Sequence, residues 1–68
     1  MDLFKYSGKV KIEFVDGSRP LTGTVFGYTA PGDSDDNVQE LDLKDVDDPK
    51  LTGVINITEP EIKSVTQL

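Results

Sequence analysis

Residues 9 to 17 restrict this chain more than any other stretch. Val10, Ile12 and Phe14 alternate with Lys9, Lys11 and Glu13, and Asp16-Gly17 follows soon after. A period of two puts the apolar residues on one face of an extended strand and the charges on the other. Asp-Gly tolerates the positive φ of a tight hairpin turn. Together they predict an antiparallel hairpin with a return strand over Leu21–Tyr28, one face buried and one in water.

On that return strand Leu21, Gly23, Val25 and Gly27 share one face, and Thr22, Thr24, Phe26 and Tyr28 share the other. Threonine and aromatic residues suit a pleated surface. Pro20 has no N–H for a ladder and belongs at the strand's start. Gly23 and Gly27 are expected inward, as kinks that bend a strand into a small barrel.

Ala30 to Asn37 is rich in Pro, Gly and Asp and reads as a loop. A third strand is expected at Val38–Leu43, with Leu41 and Leu43 inward and Glu40 and Asp42 outward. Lys44–Pro49 is a second acidic loop, and Leu51–Ile57 reads as a fourth strand. Thr58-Glu59-Pro60-Glu61 is a tight connection containing a 3₁₀ turn, with Ile62 plugging the barrel end, and Ser64–Leu68 is a fifth strand. Residues 1 to 8 form a lead-in whose Leu3 and Phe4 pack on the domain, with Gly8 ending a helical turn. The expected architecture is all-β: one domain over residues 1–68, a small, strongly bent, five-stranded barrel.

With 68 residues, such a domain buries only about 60% of the surface its unfolded chain exposes. There is no cysteine and no histidine, so disulfides, thiolate metal sites and the usual general base are excluded. No Ser/His or Cys/His arrangement can form, and no phosphate-cradling motif is present. The expectation is a non-enzymatic protein without cofactor or metal. No stretch is long enough to span a bilayer and the N-terminus lacks the pattern of a signal peptide, so a cytoplasmic protein is expected.

The net charge of −6 is concentrated. Residues 31 to 50 hold eight acids against Lys44 and Lys50, whereas the remainder holds five acids and five bases. An acidic surface repels phosphate. Lys5, Lys9, Lys11 and Arg19 offer only a small positive strip, interrupted by Glu13. Asp33, Asp35 and Asn37 have the spacing that opens an EF-hand loop, but Val38 stands where that loop needs glycine and Lys44 where it needs glutamate.

The series Val10-x-Ile12-x-Phe14-x-Asp16-Gly17, then Leu21-x-Gly23-x-Val25-x-Gly27-Tyr28, resembles the first motif of Sm proteins. The tail Ile55-x-Ile57-x-x-Pro60-Glu61-Ile62-Lys63-Ser64-Val65 is similar to the ending of small bacterial Sm-like proteins, which have an SH3-like barrel. The resemblance runs from about Gly8 to Leu68. It implies RNA-contacting positions at Tyr28, Asn37 and Gly53, and assembly through strand edges. The chain departs from the family's pattern at Ser18–Thr22, which is one residue longer, at Thr29 in place of aspartate, and at Thr52 in place of arginine. Asp36 stands where a base-stacking side chain is usual.

The expected function is an interaction or assembly module, binding a protein partner or self-associating through barrel edge strands. In that reading Asp33, Asp35, Asp36, Asp45, Asp47 and Asp48 face the partner. An RNA-binding Sm-like protein is the alternative, and weak divalent-cation binding by the acidic loops is a second one.

Overall fold

The computed structural model describes residues 1–68. Five strands form one antiparallel sheet: β1 (Lys9–Phe14), β2 (Leu21–Thr29), β3 (Glu40–Lys44), β4 (Ile55–Thr58) and β5 (Ile62–Gln67). Their order is β4-β3-β2-β1-β5, so β4 and β5 are the outer strands and do not pair with each other. The sheet is therefore open between β4 and β5, so the expected five-stranded barrel is realised as one antiparallel sheet that does not close. Short 3₁₀ turns lie at Leu3–Lys5, Pro31–Asp33 and Glu59–Glu61. No helix is long and apolar enough to cross a membrane.

The alternation of β1 is realised. Val10 and Ile12 are fully buried and Phe14 packs against the same cluster, while Lys9 and Lys11 are exposed. The turn that follows is closed by the Gly17 amide donating to the Phe14 carbonyl at 3.2 Å, with Gly17 at φ 78°. The Asp16 carboxylate accepts from the Ser18 amide at 2.9 Å, which holds the wide return to Leu21. Pairing of β1 with β2 begins at Ile12 and Leu21.

The core is one cluster: Leu3, Val10, Ile12, Leu21, Leu41, Leu43, Ile57 and Ile62. Ile62, expected ahead of a last strand starting at Ser64, is itself the first residue of β5, pairs with Phe14 and is buried in the core. Leu3 is fully buried, but Phe4 beside it is 73% exposed, so only one of the two lead-in residues enters the core.

Two expectations are corrected. The fourth strand begins at Ile55, not Leu51; Leu51 to Val54 are exposed, and Gly53 has φ 76°. On β2 the alternation does not run through. The register shifts between Val25 and Gly27, leaving Phe26 as the extra residue. A bulge of this kind inverts the facing of everything beyond it. Gly27 then sits against the Asp42 carboxylate on the outer face, and Tyr28, paired with Leu41, turns to the core side. Gly23 alone keeps its expected inward place, under Val46.

Candidate interaction surface

The backbone of the two outer strands can be followed bond by bond. The Leu68 amide donates to the Lys9 carbonyl at 2.9 Å. In an antiparallel ladder this sets the alternation, so Val65 and Gln67 turn their backbone N–H and C=O groups away from β1. The Glu59 amide donates to the Gln39 carbonyl at 2.9 Å, so on β4 Asn56 and Thr58 are the residues that face outward.

Side chains occupy part of each edge. On β4 the Thr58 amide is taken by the Glu61 carboxylate at 2.8 Å, which also accepts from the Thr58 hydroxyl at 2.7 Å. This leaves Asn56 as the open backbone position in the strand. Its side chain bridges two carboxylates on the outer face, donating to Glu40 at 2.8 Å and Asp42 at 2.9 Å. Hydrogen bonds from Ser34 and Asn56 hold the Glu40 carboxyl below its usual range. On β5 the Tyr6 hydroxyl donates to the Val65 carbonyl at 3.4 Å.

The acidic segment does not form one face. Asp33, Asp35 and Asp36 lie in the β2–β3 connection, while Asp45, Asp47 and Asp48 lie in the β3–β4 connection, at the opposite end of β3. No group of three or more acidic side chains converges where a cation could sit. Asp33, Asp35, Asp36 and Asp45 are exposed. Asp48 accepts from the Lys50 amide at 2.9 Å and shapes its own loop. Asp47, also exposed, is tied to β2: it accepts from the Thr22 amide at 2.9 Å and meets the Arg19 guanidinium at 3.4 Å. The Thr22 hydrogen bond first, then the Arg19 charge, lower its carboxyl pKa.

Of the three positions expected to contact RNA, Tyr28 and Asn37 lie at the β2–β3 end of β3 and Gly53 at the other. Tyr28 stacks edge-on against Phe4, with ring centroids 5.4 Å apart, and its hydroxyl donates to Gln39 at 3.1 Å. Asn37, at φ 58°, lies in the β2–β3 connection and Gly53 in the β3–β4 connection. The exposed aromatic on the outer face is instead Phe26, with the Lys44 ammonium 5.6 Å from its ring centre. Lys9 and Lys44 lie in one cross-strand row with Thr24 between them.

Two glutamines missed in the sequence organise the lead-in. Gln39 accepts from the Leu3 amide at 2.9 Å and donates to the Met1 carbonyl. Gln67 accepts from the Ser7 amide at 3.1 Å and donates to the carbonyls of Ser7 and of Lys9, the latter at 3.0 Å. A single glutamine at a strand end carries no periodic signal, so nothing in the sequence singled either out.

Two grooves mark the surface. One of about 330 Å³ lies between the β1–β2 turn and the last 3₁₀ turn, lined by Phe14, Val15, Asp16, Ser18, Pro60 and Glu61. The other, of about 460 Å³, runs between the lead-in and the β5 edge, lined by Lys5, Tyr6, Val65, Thr66 and Gln67. Comparison of the chain with protein-family models, with curated proteins and with solved structures finds no match.

Proposed function

We propose that this protein is a non-enzymatic interaction and assembly module of Sm-like type, a bent barrel with an open seam, acting in the cytoplasm. It works by pairing an outer strand with a strand of a protein partner or of a second copy. The observation that carries this reading is the pair of unpaired edges, β4 and β5, on a single small sheet. Unpaired N–H and C=O groups on an edge strand are a template for another chain. The strand order, the bulge in β2 and the 3₁₀ turn before β5 support the Sm-like reading.

Sedimentation equilibrium across the micromolar range tests the assembly part, and capture of partners tests the other. Asn56→Pro removes the outward N–H of β4 and also the Asn56 side-chain bonds to Glu40 and Asp42 of β3. It should weaken association through that edge, whereas Asn56→Ala, which loses only the side-chain bonds, should not. A strict monomer at high micromolar concentration that also captures no partner removes the reading.

RNA binding is the second reading. It is favoured by exposed Phe26, with Lys44 on its ring and Lys9 in the neighbouring row, since bases stack on such aromatics beside cations. A salt-titrated assay with uridine-rich RNA decides it. Binding at low salt that is lost in Phe26→Ala supports it, and no binding at low salt ends it.

A further inference from the structure

We infer that residues 5 to 7 act as a strap that occludes the β5 edge and limits the association of copies. The inference rests on the assembly reading above and concerns its regulation. Three observations carry it. Val65 and Gln67 present their backbone groups to the open side of β5, and the Tyr6 hydroxyl already occupies the Val65 carbonyl at 3.4 Å. The Gln67 side chain grips Ser7 on both its amide and its carbonyl, holding the chain beside that edge. Tyr6 is half-buried against the core cluster, and a groove of about 460 Å³ lined by Lys5, Tyr6, Val65, Thr66 and Gln67 runs between the lead-in and β5, so the strap lies along that edge.

The strap is fixed at both ends, the Gly8 carbonyl accepting from the Val25 amide at 2.8 Å. Leu3 is fully buried and anchors one end. Gly8, at φ 66°, lies at the other end, directly before β1, with no atom in the space where a Cβ would stand. Between them Tyr6 is half-buried and Ser7 exposed, held to β5 by side-chain hydrogen bonds and not by a ladder. An incoming strand needs the carbonyl of Val65, so it must displace the Tyr6 hydroxyl first. The binding-competent fraction of the edge is therefore reduced, and apparent affinity falls by that fraction. A second copy is the occupant, because every copy brings its own unpaired strand of matching kind.

The test uses the full chain with Tyr6→Phe and Gln67→Met, singly and together. Both changes keep the apolar bulk and remove only hydrogen-bonding atoms, and Tyr6→Phe is the milder fallback if the pair fails to fold. Association is measured by sedimentation equilibrium, and exchange of the Ser7 amide, which donates to the Gln67 side chain, is followed by NMR in dilute monomer. The double variant should associate about tenfold more tightly than the parent, as expected for losing one or two net hydrogen bonds from the closed form, and exchange of the Ser7 amide should already be faster in Tyr6→Phe, which leaves its acceptor in place. Equal association constants in parent and variants overturn the strap and leave assembly standing. If neither parent nor variants associate, the assembly reading fails and the strap fails with it.

Discussion

Thr22 and Asp47 hold each other at two points. The Thr22 amide donates to the Asp47 carboxylate, and the Asp47 amide donates to the Thr22 carbonyl, both at 2.9 Å. The outward backbone groups of Thr22 face a strand, β3, that has already ended at Lys44. Asp45, at φ 53°, turns the chain away, and Asp47 returns with a carboxylate in place of the missing carbonyl. Asp47→Ala is therefore expected to lower the urea midpoint and to speed exchange of the Thr22 amide. Asp47→Asn keeps an acceptor and should do less. Alanine substitution of exposed Asp35 or Asp36 should leave both measurements unchanged.

The same bond predicts a response to acid. Asp47, Asp16 and Glu40 all have carboxyl pKa values below their ordinary 3.8, 3.8 and 4.5. The first cause in each is a hydrogen bond to the charged form, from Thr22, Ser18 and Ser34 respectively. A pKa lowered by folding means that the unfolded chain binds protons more readily. The stabilisation is thus complete above the ordinary values and is lost as pH falls through the lowered ones. Urea midpoints measured from pH 7 down to about pH 2 should hold steady and then drop below about pH 4.5. Asp47→Ala should flatten part of that drop.

Gly23 and Gly27 were alike in the sequence and should differ in substitution. A Cβ on Gly23 would lie 2.9 Å from Val46 Cγ1 and 3.2 Å from the Lys44 carbonyl. Overpacking of this kind costs about 1–3 kcal/mol. A Cβ on Gly27 would meet only the Asp42 side chain, with Oδ2 at 3.2 Å, on the outer face. That carboxylate can move, so Gly27→Ala should destabilise less than Gly23→Ala in chemical unfolding. The reverse order would contradict the bulge at Phe26.

Leu3 gives the lead-in its structural weight. It is fully buried in the one core cluster although it precedes the first strand. Leu3→Ala should cost about 2–5 kcal/mol, as other buried leucines do. Phe4→Ala removes a ring that is 73% exposed and touches Tyr28 edge-on, and its cost in the same unfolding experiment should be much smaller.

Local rules were enough wherever a side chain's role is decided by its neighbours in the chain. The alternation at Val10, Ile12 and Phe14, the turn around Asp16-Gly17, the Leu41 and Leu43 pair and the 3₁₀ turn at Glu59–Glu61 before Ile62 could all be read in order. Each depends on φ/ψ preference and a period of two, which the sequence carries directly. The candidate site was less legible. The expected acidic face comprised residues close in sequence, but a strand of five residues, β3, separates the two loops and puts their charges at opposite ends.

An antiparallel, all-β chain, with the alternating apolar residues of its first and third strands on the buried face and no cysteine or histidine, followed from the sequence alone. The bulge at Phe26, the late start of β4, the tie from Asp47 to Thr22 and the guarding of each edge by a side chain came from tertiary contacts. These depend on backbone groups left without partners when a neighbouring strand ends. Which side chain reaches an orphaned N–H or C=O is settled by residues 3 to 60 positions away, such as Glu61 for Thr58 and Gln67 for Ser7.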